Sequence, residues 1–117
     1  PLQCEFYALE GLSQLIKTIE RVKQKLNPVL EIQGVVLTMF DKRSSLNEQV
    51  ASDVRQHFGD KVYRTIIPRN VRLAEAPSHG LPVLQYDQKS RGAVSYLALA
   101  GEMIRRAEQD KKNPVQA

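Results

Sequence analysis

Residues 66–83 read IIPRNVRLAEAPSHGLPV, the stretch of this sequence that says most about the fold. It opens on a short apolar run typical of a strand, and it holds three prolines and two arginines. Because proline fixes φ and removes a backbone donor, the segment is predicted to follow a defined course over the surface. So constrained a segment directly after a strand is not typical of a passive linker.

The preceding sequence alternates between helical and strand patterns. Apolar residues at helical spacing predict an amphipathic helix from Leu9 to Leu26. Residues 32–40 (IQGVVLTMF) are almost continuously apolar, which is typical of a strand covered on both faces in a parallel sheet. Ser45 begins a capping-box pattern that opens a second helix, and Gly59 is its expected end. The inward stripe of that helix is predicted to consist of Leu46, Val50, Val54 and Phe58.

The remaining sequence continues the alternation. A second full strand is predicted at residues 62–67, and a short extended piece at residues 83–86. The last helix is predicted from Ala93 to Ala107, and the polar residues 108–117 are predicted to form a disordered tail. The inward face of the last helix is expected to carry Tyr96, Leu97, Ala100, Met103 and Ile104.

The order of strand end, helix, strand, helix, strand, loop and helix predicts an α/β layer structure with parallel strands. Two or three strands make only part of such a sheet, and the sequence starts at Pro1 in what looks like the end of a strand. We therefore interpret residues 1–107 as part of one domain from a longer protein, and residues 108–117 as its tail.

The composition is that of an ordinary globular protein, with 42% hydrophobic and 26% charged residues among 117. The net charge of +4 permits an anionic partner such as DNA, but a solvated surface with a slight basic excess explains it equally well. Cys4 is the only cysteine, which excludes an intrachain disulfide and a cysteine-based metal site. No apolar run approaches the roughly 18 residues of a membrane span, and no signal peptide is recognisable. We therefore expect a cytoplasmic protein with no membrane partner.

No catalytic constellation stands out in the sequence. It contains neither G-x-x-x-x-G-K-[ST] nor G-x-G-x-x-G, and its six glycines are scattered. His57 and His79 have no cysteine or second histidine at ligand spacing. Ser78 is adjacent to His79, but a catalytic triad depends on geometry and on a third orienting group. We therefore predict no catalytic residue and no metal ligand in this chain.

Two loops stand out by their position after predicted strands. In open α/β sheets, ligands bind at the carboxyl ends of the strands, where this chain places residues 38–43 and 67–70. Met39 and Pro68 could enclose a flat aromatic base, with Asn70 and backbone groups reading its polar edge. Position alone is equally compatible with Met39 as a core residue and with Pro68 as part of a plain turn.

These loops and their surroundings resemble the ParA/Soj family of chromosome- and plasmid-partitioning ATPases, a deviant-Walker branch of the P-loop NTPases. The matching segments are residues 1–14 (PLQCEFYALEGLSQ), 34–41 (GVVLTMFD) and 60–92 (DKVYRTIIPRNVRLAEAPSHGLPVLQYDQKSRG). The resemblance implies part of a parallel-sheet, three-layer P-loop NTPase-like fold. It also implies that the N-terminal phosphate-binding half, with the phosphate loop, the Mg²⁺ ligands and the signature lysine, lies upstream of Pro1.

The resemblance implies ligands as well. In the intact protein ATP or ADP would bind with Mg²⁺, and the adenine would lie against Thr38, Met39, Ile67, Pro68, Arg69 and Asn70. An ATP-dependent homodimer of this family binds double-stranded DNA without sequence preference, and a ParB-type partner stimulates ATP hydrolysis. In this sequence the basic residues that match the DNA-binding positions of the family are Arg43 and Arg72. Lys42 is a weaker candidate for contact with DNA, and Arg105 and Arg106 are the weakest candidates. The resemblance thus implies part of a cytoplasmic, nucleoid-associated ATPase, and we expect this chain alone to be inactive.

Three alternatives stay open at this point. A MinD-like cell-division regulator would need a terminal amphipathic helix, whereas the last ten residues contain only Val115 and Ala117 as apolar residues. An electron-transfer relative with a shared iron–sulfur cluster would need cysteines beyond Cys4. A structural fragment with no activity of its own is compatible with all of these patterns.

Overall fold

The structure is a computed structural model that describes residues 1–4 and 9–112. A three-stranded parallel sheet with the order β1-β2-β3 forms its centre. The strands are β1 Leu2–Gln3, β2 Val35–Phe40 and β3 Val62–Pro68. The helices in the described residues are α1 Leu9–Lys25, α2 Ser45–Phe58, α3 Val71–Glu75, α4 Val83–Tyr86 and α5 Arg91–Lys112. The α/β order and the parallel sheet predicted from the sequence are confirmed.

Two hydrophobic clusters divide the side chains of the sheet between its two faces. Residues of α1 and α2 pack on one face, in a cluster that comprises Leu2, Cys4, Leu12, Leu37, Phe40, Val50, Ala51, Val54 and Val62. On the other face, Leu99 of α5 packs with Tyr63 and Ile67 of β3. Side chains alternate along a strand, so Val62 and Tyr63 belong to different clusters. Helices on both faces of a parallel sheet give the three layers of an α/β fold.

Met39 interrupts this alternation at the end of β2. Leu37 and Phe40 belong to the same cluster although three positions separate them, which a regular strand does not allow. Met39 has a φ of 55°, and the pairing of β2 with β3 shifts between Leu37 and Phe40. The strand thus contains a bulge-like irregularity that turns Phe40 towards α1 and α2. A non-glycine residue in the left-handed region costs about 1–3 kcal/mol, so the surrounding packing must offset this strain.

A buried asparagine organises the start of α2. The Ser44 hydroxyl accepts a hydrogen bond from the backbone N–H of Asn47 at 3.2 Å and caps the helix. The Asn47 side chain accepts from the backbone N–H of Asp41 at 2.9 Å and donates to the carbonyl of Cys4 at 3.4 Å. The prediction of Ser45 as the cap is therefore wrong by one residue. The predicted inward place of Leu46 is also wrong, because Asn47 takes that position and Leu46 is 50% exposed.

Glycine and proline residues mark where three further helical segments end or begin. Gly59, with a φ of 57°, ends α2 as predicted. After β3 and α3 the chain forms a 3₁₀ turn over Ala76–His79, and Gly80 closes it with a φ of 66°. The predicted extended piece at residues 83–86 is wrong, because Pro82 precedes a helical turn there. The constrained course expected for residues 66–83 is thus largely helical.

The last helix is longer than predicted at both ends. α5 begins at Arg91, where the Ser90 hydroxyl accepts from the backbone N–H of Ala93 at 3.2 Å, and continues to Lys112. Residues 108–112 of the predicted tail are therefore helical, and residues 113–117 lie outside the described residues. In the part of the chain that is described, no helix combines the length and the apolar character that crossing a bilayer requires.

The inward face of α5 differs from the predicted one. Gly92, Ala93, Leu99 and Glu102 are the buried residues of the helix. The residues predicted to face inward are exposed instead, and these are Tyr96, Leu97, Ala100, Met103 and Ile104. Because hydrophobic periodicity takes no account of polar contacts, it cannot identify Glu102 as a buried residue of this helix.

The Glu102 carboxylate and the Arg106 guanidinium join α5 to the outer edge of β3. Glu102 is 8% exposed and accepts from the backbone N–H groups of Arg64 at 2.8 Å and Thr65 at 2.9 Å. Arg106 donates to the carbonyls of Lys61 at 3.2 Å and Val62 at 2.9 Å. The N–H groups are those of the stretch where the pairing of β3 with β2 is irregular. The carboxylate thus provides an acceptor for two backbone donors at the sheet edge, which are only partly buried.

Candidate functional site

A cleft of about 700 Å³ opens at the carboxyl ends of β2 and β3. The backbone N–H of Arg69 donates to the carbonyl of Phe40 at 3.0 Å and joins the two loops that follow these strands. Parallel strands place their carboxyl ends at one edge of a sheet, which is why loops distant in sequence meet here. The lining consists of Phe40, Asp41, Lys42, Arg43, Ile66, Pro68, Arg69, Asn70, Val71, Arg91 and Ser95.

The cleft is strongly basic. Among the described residues, Lys42, Arg43, Arg69 and Arg91 line it together with a single carboxylate, that of Asp41. The backbone N–H and the side chain of Arg43 donate to Asp41, and these bonds, with the charges of Arg43 and Arg69, lower the pKa of Asp41 below its ordinary 3.8. The Arg43 side chain is 91% exposed, so water screens its 3.2 Å ion pair with Asp41. An anionic ligand can therefore compete for this guanidinium.

The cleft contains only part of the set predicted to contact adenine. Residues 68–70 line it, whereas Thr38, Met39 and Ile67 are not among the lining residues. Ile67 is 1% exposed and Thr38 is 8% exposed, which leaves little of either side chain for a ligand. The enclosure of a base between Met39 and Pro68 stays a prediction. The apolar wall of the cleft is formed by Phe40, Ile66, Pro68 and Val71.

The amide of Asn70 is oriented by its role at the start of α3. Its Oδ1 accepts from the backbone N–H of Arg72 at 2.9 Å, with Asn70 in the extended conformation of an N-cap. The oxygen is thus engaged, and the amide nitrogen, which can only donate, remains for a ligand. The Asn70 amide nitrogen is therefore suited to donate to a ring nitrogen of a nucleobase, and its oxygen keeps a second lone pair that can accept.

Arg72 belongs to a separate network beside the cleft. Its guanidinium lies 3.1 Å from Glu75 and 3.3 Å from Asp87, and its side chain is 52% exposed. The Tyr86 hydroxyl donates to Glu75 at 2.8 Å, and this bond together with Arg72 lowers the pKa of that carboxyl. The ring of His79 stacks on Tyr86 at 4.7 Å between centroids. Two carboxylates thus offset the charge of Arg72, in contrast to the excess of cations in the cleft.

Arg105 and Arg106 lie towards the other end of α5. At a rise of about 1.5 Å per residue, Arg105 is about 20 Å along the helix axis from Arg91. Arg106 lies 3.3 Å from Glu102, and its guanidinium carbon lies 4.2 Å from the centre of the Tyr63 ring. Both the carboxylate and the ring hold Arg106 in a structural role. The structure does not bring either arginine to the cleft.

A larger hollow of about 1130 Å³ lies between the outer edge of β3 and the second half of α5. Its lining includes Lys61, Arg64, Glu102, Arg105 and Arg106. The principal polar groups there already hold α5 against the sheet edge. The smaller cleft at the carboxyl ends of the strands is therefore the candidate site.

Arg91 is a cleft residue that the sequence patterns do not identify. The helix predicted to start at Ala93 leaves it in a loop, whereas the Ser90 cap places it in the first turn of α5. Gly92 lets that turn approach α3, since a Cβ there would lie 2.5 Å from Leu73 Cγ. The sequence offers only the run Ser90-Arg91-Gly92, in which a capping residue and a glycine flank the arginine. The position of Arg91 at the cleft depends on tertiary packing.

Comparison with known proteins gives the family. The model of the CobQ/CobB/MinD/ParA nucleotide binding domain matches residues 4–83, more than half of the chain. The chain belongs to this family. The match includes both loops that meet at the cleft, but it ends before α5, so the lining residues Arg91 and Ser95 lie outside it.

Within the family, the chain is similar to ParA and Soj proteins. It is 68% identical over 112 residues to the chromosome partitioning protein ParA of Caulobacter vibrioides, which covers 96% of this chain and 42% of the relative. The sporulation initiation inhibitor protein Soj of Bacillus subtilis is 59% identical over 103 residues, 88% of this chain and 41% of the relative. The chromosome-partitioning ATPase Soj of Thermus thermophilus is 49% identical over 109 residues, 93% of this chain and 44% of the relative. The chain thus spans less than half the length of these relatives, and the ParA/Soj resemblance is confirmed.

Proposed function

We propose that this chain is the C-terminal half of a ParA/Soj-like ATPase for chromosome or plasmid segregation. In that protein it supplies adenine-contacting loops and part of a DNA-binding surface without sequence preference. The observation that carries the proposal is the cleft at the ends of β2 and β3, where an apolar wall adjoins four cationic side chains. Family membership supports a nucleotide as one ligand, and the names of the relatives support a role in chromosome partitioning.

The apolar wall accounts for the adenine. A nucleobase is flat and uncharged, so it favours an apolar surface with a few polar groups that fix its orientation. Pro68 and Val71 supply such a surface, and the Asn70 amide nitrogen supplies a donor. Thr38 and Ile67 would act through backbone atoms, because their side chains are buried. In this proposal residues outside this chain hold the phosphates and Mg²⁺ of ATP, because the chain spans only 42% of the ParA relative.

The basic side chains account for DNA. Binding without sequence preference needs lysine and arginine contacts to phosphates and no contacts to base edges. Arg43 and Lys42 are exposed at the cleft, and Arg72 is partly exposed beside it. An ATP-dependent homodimer would present two such surfaces to one duplex and so multiply the contacts. A ParB-type partner and a nucleoid location belong to the same proposal. No observation on the described residues favours a MinD-like regulator.

Photolabelling with 8-azido-ATP tests the nucleotide part in the full-length protein. We expect crosslinks in the peptides that contain residues 38–43 and 67–72, and competition by unlabelled ATP. Crosslinks confined to other peptides would overturn the adenine assignment. The chain alone is expected to show no Mg²⁺-dependent ATP turnover, and measurable turnover by the purified chain would contradict that expectation.

A double substitution tests the DNA part. With ATP present, Arg43→Ala combined with Arg72→Ala should weaken binding of the full-length protein to duplex DNA and flatten its dependence on salt. The matched control is Arg21→Ala, which removes an exposed arginine from α1 and should leave binding unchanged. ATP affinity is measured in parallel to show that the variants are folded. DNA binding that persists unchanged in the double variant would overturn the assignment of these two residues.

A further inference from the structure

We propose that Arg91 is a phosphate contact of the DNA-binding surface, at the third wall of the cleft. This inference rests on the proposed function and adds a residue from α5 to it. The two loops after β2 and β3 form the other walls, and Arg91 stands with Ser95 on the first turns of α5. DNA phosphates thus meet a surface built from three elements of the fold rather than from two loops.

Three local features place Arg91 at the cleft. The Ser90 hydroxyl caps α5 through the backbone N–H of Ala93, so that Arg91 becomes the first helical residue. Gly92 is buried, and its missing Cβ leaves room for Leu73 of α3. α3 follows the Pro68–Asn70 loop directly, so this close approach brings the first turn of α5 beside the loop. The position of Arg91 is therefore determined by packing, while its side chain stays exposed.

The charge of the cleft favours a phosphate over a base as the ligand of Arg91. The part of the chain that the structure describes brings four cations and one carboxylate to the cleft, and Asp41 is already bonded to Arg43. Within residues 1–4 and 9–112, neither Lys42 nor Arg91 forms an ion pair. Like charges at this density repel one another, and a polyanion relieves that repulsion whereas a neutral base does not. A guanidinium also matches phosphate oxygens with two parallel N–H donors.

The same geometry separates Arg91 from the other arginines of α5. Arg105 and Arg106 are about 20 Å further along the helix. Arg106 is engaged by Glu102 and by backbone carbonyls. Arg91 is therefore the arginine of this helix that shares a surface with Arg43.

Arg91→Gln in the full-length protein tests the proposal, with fluorescence anisotropy of a labelled duplex in the presence of ATP. We expect the dissociation constant to rise by roughly tenfold at moderate salt. The slope of log affinity against log salt should become shallower by about one when one phosphate interaction is removed, or by about two when a dimer loses it from both subunits. Arg91→Lys should restore the slope, because it restores the charge. The control Arg21→Ala, on the opposite face of the sheet, should bind as the wild type does.

Each outcome decides the proposal. If Arg43→Ala weakens binding and Arg91→Gln does not, the Arg91 assignment is wrong while the proposed function stands. If Arg91→Gln weakens ATP binding instead of DNA binding, its ligand is the nucleotide and the proposal is overturned. Equal losses of affinity in Arg91→Gln and Arg21→Ala would show an effect of net charge alone and would also overturn it. If the wild type binds no DNA with ATP, both the proposed function and this inference fail.

Discussion

Replacing Glu102 with alanine removes the acceptor of two backbone hydrogen bonds at the outer edge of β3. The carboxylate lies 2.8 Å from the N–H of Arg64 and 2.9 Å from that of Thr65, and it also faces Arg106 at 3.3 Å. A hydrogen bond to a charged group contributes roughly 1.5–3 kcal/mol. Both N–H groups are only partly buried, so water replaces some of this contribution. We therefore expect Glu102→Ala to lower the free energy of unfolding by about 2–4 kcal/mol, a large share of the roughly 5–15 kcal/mol of a typical domain.

Amide hydrogen exchange gives the sharpest readout of this destabilisation. If exchange at the β3 edge follows its local opening, the amides of Arg64 and Thr65 should exchange roughly 30- to 1000-fold faster in Glu102→Ala. Urea unfolding followed by circular dichroism measures the global change in parallel. Glu108→Ala is the matched control, since Glu108 is an exposed glutamate on the same helix. Equal stability and unchanged exchange in the two variants would refute the role of Glu102 in holding α5 to the sheet.

Three other perturbations test the packing and the pH dependence of the fold. Gly92→Ala places a methyl group against the α3 leucine and should lower the free energy of unfolding by about 1–3 kcal/mol. Gly101→Ala on the same helix is the control, because its new methyl group would meet only the flexible end of the Arg105 side chain at 3.2 Å. It should leave the free energy of unfolding unchanged or raise it. Equal destabilisation of Gly92→Ala and Gly101→Ala in urea unfolding would contradict this account. Asn47→Ala leaves the backbone N–H of Asp41 and the carbonyl of Cys4 without their partner. It should lower the free energy of unfolding by about 1–3 kcal/mol in urea unfolding. The control Gln49→Ala, at an exposed position of the same helix, should change that free energy little. Burial alone would raise the pKa of Glu102, but hydrogen bonds from Arg64 and Thr65 and the charge of Arg106 together outweigh it and lower the pKa below its ordinary 4.5. The stabilising contribution of Glu102 is therefore complete above 4.5 and is lost as the pH falls through the lower folded-state pKa. The stability gap between the wild type and Glu102→Gln should therefore narrow on acidification below 4.5, and a gap that widens would contradict the assignment.

The order of elements could be predicted because its signals are local. The apolar run of residues 32–40 contains β2, and helical spacing locates α1 to within a residue of its end. The carboxyl ends of parallel strands share one edge, so the meeting of the two loops follows from topology alone. The membership of residues 68–70 in the cleft was predictable on this basis.

The rest depends on contacts between distant residues. Periodicity predicts Tyr96 and Leu97 as inward residues of α5, whereas Glu102 and Gly92 are the residues that contact β3 and α3. Met39 adopts a left-handed conformation where the pairing of β2 with β3 shifts. The sequence does not predict it, because Met39 is not a residue type that favours positive φ. Arg91 joins the cleft for the same kind of reason. The position of Arg91 follows from packing between α5 and α3. Sequence patterns within one segment carry no information on such packing.

Nucleotide-dependent binding to DNA tests the central claim most directly. Anisotropy of a fluorescent duplex is measured with the full-length protein in ATP, in ADP and without nucleotide, over a series of salt concentrations. The account predicts tight binding in ATP only, the same affinity for duplexes of unrelated sequence, and a steep loss of affinity as salt rises. Binding that is absent in ATP, or that is equal in all three nucleotide states, would contradict it.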